Sequence, residues 1–94
     1  MNRAPAYARM LAARDVVRNR LNALEFQLRE QAESTVSSPA AHRGDSGWRK
    51  SDERQYQDAL ANLRHRHRGD LGALRAKLDR QQWAIRQHII RQQR

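Results

Sequence analysis

Residues 6–33 contain neither glycine nor proline, and large side chains return through them at alternating intervals of three and four. Tyr7, Met10, Arg14, Val17, Leu21, Leu24 and Leu28 form the series, and all but Arg14 are apolar. On a helix this spacing draws one narrow stripe along one face, the pattern of a coiled-coil seam. A strand would need a period of two. Pro5 stands where a first helical residue would, with φ already fixed and an N–H the helix does not need there. The first helix is therefore expected over 6–33.

A second periodic stretch begins at Ser51. Ser51 can cap a helix, and Asp52 and Glu53 put negative charge in the first turn, where the helix dipole favours it. Tyr56, Leu60, Leu63 and His67 are followed by Leu71, Leu74, Leu78, Ile85 and Ile89. The step from His67 to Leu71 is a four that follows a four, a stutter that locally unwinds a left-handed supercoil. One long helix over 51–93, bent near Gly69–Gly72, accounts for the pattern. The alternative is a break there, with Asp70 capping a third helix. One helix is favoured, because each glycine costs a helix interior only about 1 kcal/mol.

Between them, residues 34–50 hold Ser, Thr, Pro and Gly without any period and read as a flexible loop. The expected fold is all-α: one domain over 1–94, an antiparallel two-helix coiled-coil hairpin. At 1.5 Å per residue the helices would span roughly 42 and 64 Å, leaving about 20 Å of the second unopposed. Two thin rods make a sparse core, which predicts dimerisation into a four-helix bundle, or stabilisation by a partner.

Charge bears on the class of partner. The chain carries 19 basic and 10 acidic residues, for a net charge of +9. All but Lys50 and Lys77 of the basic residues are arginine, whose planar fork suits carboxylates and phosphates. An Ala- and Arg-rich composition is also what GC-rich codon usage produces. Residues 51–94 hold ten basic against five acidic side chains, and no acid follows Asp79. There is no cysteine, hence no disulfide frame or thiolate metal site. No run approaches the roughly 18 apolar residues of a membrane span. No leader-like apolar stretch opens the chain. The reading is a cytoplasmic chain that does not enter the membrane.

Three short motifs invite sharper readings. Gly44-Asp45-Ser46-Gly47 is the tetrapeptide around the nucleophile of chymotrypsin-like proteases, but that chemistry needs a base, an orienting acid and two β-barrels. Arg-Gly-Asp occurs at 43–45 and again at 68–70. The second copy runs on into Leu71 and Leu74, which the seam already explains. In Arg64-His65-Arg66-His67-Arg68 the histidines are two apart and face different sides of a helix, whereas chelation of one metal needs i, i+4. No metal, cofactor or catalytic residue is expected. The acids read as surface partners of arginines, Asp15 with Arg18 and Glu25 with Arg29.

The tail carries a second apolar stripe. Ala76, Trp83 and Ile90 are seven apart and lie off the Leu78–Ile85–Ile89 seam. Two apolar faces on one helix imply two neighbours. Trp83 lies between Arg80 and Arg86, and Trp and Arg dominate interface hot spots. Ala12, Val16 and Ala23 mark a weaker second stripe on the first helix. Trp48, in the loop, is either tucked over the helix ends or offered to a partner. These features point to a small basic helical protein-interaction module: an adaptor, scaffold or inhibitor docking on a larger complex, with an acidic partner and a homodimer expected. Small basic coiled-coil proteins of this sort occur among phage and mobile-element regulators and secretion-system components. Partner contacts are assigned to Trp83, Ile90, Arg80, Arg86 and Trp48. The alternative is a nucleic-acid binder without sequence preference, its phosphate contacts drawn from Arg80 and Arg86 and, on an Arg-rich face, from the four side chains of Arg64, Arg66, Arg68 and Arg75. The same four side chains would serve an acidic protein surface.

Overall fold

The computed structural model describes residues 4–36 and 42–93, which carry three helices and no strand. Helix α1 runs Ala4–Ser34, α2 Lys50–Arg66 and α3 Arg68–Gln92. Helix α1 takes in two residues before and one beyond the span its periodicity marks. Its C-terminus is closed by its own hydroxyls: Ser34 Oγ donates to the Gln31 carbonyl and Thr35 Oγ1 to that of Ala32, both at 2.7 Å. The backbone N–H groups of Thr35 and Val36 add bonds to Ala32 and Glu33 at 3.2 Å. Together these satisfy carbonyls that a helix end would otherwise leave open.

The middle of the expected 34–50 loop, residues 37–41, lies outside the described residues. Its second half holds two turns. The backbone N–H of Asp45 bonds the His42 carbonyl at 2.9 Å, and that of Trp48 bonds the Asp45 carbonyl at 3.0 Å. The Asp45 carboxylate accepts the His42 N–H at 3.0 Å, so this acid of the Gly-Asp-Ser-Gly run holds a turn. Gly44 sits at φ +97°, a conformation that favours glycine.

Helix α2 starts one residue before Ser51, with Arg49 at the cap position. Its entry is fixed by Asp52, whose carboxylate accepts the Arg49 backbone N–H at 2.9 Å. This is the N3 acid of a capping box reaching back to the cap residue. Asp52 is buried as well.

Where the periodicity favoured one helix over 51–93, the structure has two, parted at His67 (φ −99°, ψ 15°). The bend was expected at Gly69–Gly72, but both glycines lie within α3. The parting falls on the stutter in the stripe, where a continuous helix would turn its seam away from α1. The irregularity is small: the His67 N–H still reaches the Leu63 carbonyl at 3.0 Å. An Arg68 Nη donates to the His65 carbonyl at 2.8 Å, filling an acceptor of the last α2 turn.

The expected single domain packs as two compact units. A terminal unit joins the residues up to Asn22 with those from Asp70 onward, and a central unit comprises Ala23–Gly69. In the terminal unit Val17, Leu71 and Ile85 are buried, with Met10, Leu21, Leu74 and Leu78 half-buried around them. In the central unit Leu28, Ala32, Val36, Tyr56 and Leu60 are buried. Each fully buried Leu or Ile contributes about 1.5–3 kcal/mol of transfer free energy. All seven positions of the α1 stripe are buried or half-buried, and so is every seam position of α2 and α3 except Ile89.

Candidate interaction surface

The seam positions of α3 turn Leu71 and Ile85 inward, and exposed positions lie around the rest of the helix. These include the second stripe. Trp83 is 57% exposed and Ile90 47%, with Ile89 at 39% beside them; Ala76 is also exposed. Arg80, Arg86 and Arg91 are exposed on the same stretch. Large exposed aromatic and aliphatic side chains grouped on one element are the usual mark of an interaction surface.

Beside this patch lies a groove of about 220 Å³ lined by Arg14, Gln82, Ile85 and Arg86. Arg14 enters it from the polar position of the α1 seam. Its Nε and one Nη both approach one oxygen of Asp15, at 3.2 and 3.1 Å. Asp15 thus pairs with its chain neighbour and not with Arg18. Further along, the Tyr7 ring stacks on His88, centroids 5.9 Å apart and planes 7° from parallel. His88, isolated in the sequence, thus acquires a partner.

The four arginines assigned to phosphate or acidic surfaces divide. Arg64 pairs with Glu25 at 3.2 Å, from α2 to α1. Arg68 is turned to the His65 carbonyl, and Arg75 is also engaged. Arg66 is exposed and lines a groove of about 360 Å³ of mixed character, with Gln31, Ser34, Thr35 and Asn62 beside Ala59 and Leu63. Among the described residues no three His, Asp or Glu side chains gather as they would around a metal. No described helix is long and apolar enough to cross a membrane.

Trp48 belongs to a different arrangement, in the central unit. It meets the Tyr56 ring edge-on at 6.3 Å, while the Arg43 guanidinium lies over the same ring, 4.5 Å from its centroid. Arg43 Nε also donates to both oxygens of Glu53, at 2.6 and 3.0 Å. That hydrogen bond holds the Glu53 carboxyl below its ordinary range and raises the Arg43 guanidinium, against a smaller opposing effect of desolvation. Glu33 ties the turn to α1, accepting the Arg43 backbone N–H at 3.1 Å and lying 3.3 Å from His42 Nδ1. The Trp48 Nε1 adds slightly to the stabilisation of the Glu53 carboxylate. It falls short of a formed hydrogen bond, for it is buried with no partner within bonding geometry.

One exposed residue escaped the sequence reading. Phe26 on α1 is 58% exposed, and Val16 is 51% exposed. The signal was present, since Phe26 follows Ala23 by three and so continues the Ala12–Val16–Ala23 series. The terminal and central units thus each carry an exposed apolar side chain on α1.

Compared with protein-family models, curated proteins and solved structures, the chain matches none.

Proposed function

We propose that this chain is a small basic protein-interaction module, an adaptor, scaffold or inhibitor that docks on a larger acidic protein through the Trp83–Ile90 face of α3. One observation carries the reading: the tail tryptophan lies open on a helix whose opposite face is already covered. An indole of that size exposed beside arginines has the composition of an interface hot spot. In this reading the two stripes form an antiparallel hairpin. A second copy closes a four-helix bundle over the small-residue face of α1, where Ala12, Val16 and Ala23 permit close approach. The α3 face is left for the foreign partner.

The test is a comparison of the wild-type chain with the Trp83→Ala/Ile90→Ala variant, by light scattering and by affinity capture from the native host. The double variant is expected to lose its captured partner and to keep its fold. An unchanged partner set with unchanged mass sinks the reading. The nucleic-acid alternative draws on Arg64, Arg66, Arg68, Arg75, Arg80 and Arg86, all exposed. It requires binding to arbitrary duplex DNA that weakens steeply with salt. Absence of binding at ordinary salt removes it.

A further inference from the structure

Arg14 holds a seam position that its six stripe companions fill with apolar side chains, and it is half-buried there. Arg86 reaches the same groove from α3. Two guanidinium groups lining one small groove repel each other unless an anion lies between them. Asp15 answers that repulsion only in part. It takes one edge of Arg14, at a single oxygen, and its own side chain is 52% exposed, so the pair is weak. Arg86 forms no ion pair or hydrogen bond among the described residues. A planar fork with free N–H groups is built to receive a carboxylate at two points.

The groove is continuous with the apolar patch. Arg86 lies three residues after Trp83 and four before Ile90, so the three share one side of α3. Whatever covers Trp83 and Ile90 passes within reach of Arg86. We infer that the occupant is an acidic amphipathic helix: its apolar side chains cover Trp83 and Ile90, and one of its carboxylates enters the groove between Arg14 and Arg86. The inference rests on the docking reading above and names the chemistry of the partner. The tail of a second copy is a poor occupant, because each chain carries +9 and α3 offers no acid after Asp79. Nucleic acid is a poor one too, since Ile89 and Ile90 give a phosphate backbone nothing to bind.

The test uses a displayed library of helical peptides, about five turns long, with apolar residues at i, i+4 and i+7 and all other positions randomised. It is sorted against the full-length chain and against its Arg86→Gln, Arg14→Gln and Trp83→Ala variants. Arg86 is exposed, so Arg86→Gln leaves the packing intact. Peptides selected by the wild type are expected to carry Asp or Glu at one fixed offset from the apolar positions. Neutralising that acid should weaken binding about ten- to a hundredfold in the wild type, the range of a charge-assisted hydrogen bond. In Arg86→Gln the same change should cost less than about twofold.

Several results overturn the inference. If no acid is selected, or if neutralising it costs as much in Arg86→Gln, the groove is not the carboxylate site. The docking reading then survives only if Trp83→Ala loses the peptides. If the wild type selects nothing, or Trp83→Ala keeps the selected peptides, both fall. A 20-base-pair duplex that binds more tightly than every selected peptide at 0.15 M salt replaces the inference with nucleic-acid binding. A wild-type dimer that Trp83→Ala converts to monomer replaces it with burial by a second copy.

Discussion

The two units treat the aromatic of their second stretch in opposite ways. In the central unit the aromatic of the second stretch, Tyr56, is 2% exposed, flanked by Trp48 and covered by Arg43, with Leu28, Ala32 and Leu60 buried alongside. In the terminal unit the aromatic of the same stretch, Trp83, is exposed, and Ile89 and Ile90 are exposed with it. Both aromatics are near arginines, so arginine does not decide the outcome. Position on the helix does. Tyr56 lies on the seam, and a turn of chain folds across it. Trp83 lies off the seam and is left 57% exposed. Along its second stretch the central unit buries or half-buries its large apolar side chains and leaves only Phe26 of α1 open, whereas the terminal unit leaves Trp83, Ile89 and Ile90 of α3 open together with Val16 of α1.

That contrast is broken or sharpened first by truncating each aromatic. Tyr56→Ala removes a buried ring together with its contacts to Trp48 and Arg43. It should cost about 3–5 kcal/mol, the range for large-to-small changes in a core. Trp83→Ala should change stability by less than about 0.5 kcal/mol, as surface substitutions do. Urea unfolding followed by circular dichroism gives both numbers. Equal costs would mean that Trp83 is buried in solution and that the terminal unit is not open. Quenching by acrylamide separates the same two states, since Trp83 should be quenched far more readily than Trp48.

The next largest effect concerns how the central unit is entered. Asp52 is buried and its carboxylate holds the Arg49 N–H at 2.9 Å. Asp52→Ala leaves that donor open and takes negative charge from the first turn of α2. A loss of about 1–2 kcal/mol is expected. Hydrogen exchange should show the loss in residues 50–56 of α2 and not in α3. Faster exchange throughout α3 would mean that the two units unfold as one.

How much of this was legible follows from which interactions are local. The heptad stripe of α1 predicted its seven inward positions, because a helix face is set by spacing alone. The exposure of Trp83 and Ile90 followed from the same arithmetic. The parting at His67 was legible as a stutter, but the favoured reading put the bend on the glycines, whose flexibility is only a tendency. The Arg43–Tyr56–Trp48 cluster was not legible, for it joins a turn with no period to a helix through side-chain geometry. Likewise the pairing of Glu25 with Arg64 spans 39 positions, and local i, i+4 spacing pointed to Arg29 instead. The glycines now give a prediction of their own. A Cβ at Gly69 or Gly72 would meet nothing within 4 Å, and neither has a positive φ. Gly→Ala at each should raise stability by about 0.4–1 kcal/mol. A decrease in the melting temperature would mean that bare backbone at 69–72 is needed for something other than the turn at His67.

The smallest expected effect tests what fastens the central unit's loop. The Glu53 carboxyl is held below its ordinary pKa of 4.5 by the Arg43 hydrogen bond. A depressed carboxyl stabilises the folded form above its unfolded pKa and ceases to do so as pH falls through its folded pKa. The Arg43 shift is upward, in a guanidinium that is already charged at neutrality, and so has no consequence there. Acidification through and below pH 4.5 should therefore loosen the turn at 42–49 while α3 is unaffected. Trp48 reports this directly once Trp83 is replaced by Phe: its emission should shift to the red as the pH falls. Because the Glu53 side chain is still 35% exposed, the change is modest and salt should weaken it further. In Glu53→Gln the shift should disappear, since no charge remains to be lost. An identical acid transition in Glu53→Gln would place the titrating group elsewhere and leave the stacking of Trp48, Tyr56 and Arg43 to hold the turn without the ion pair.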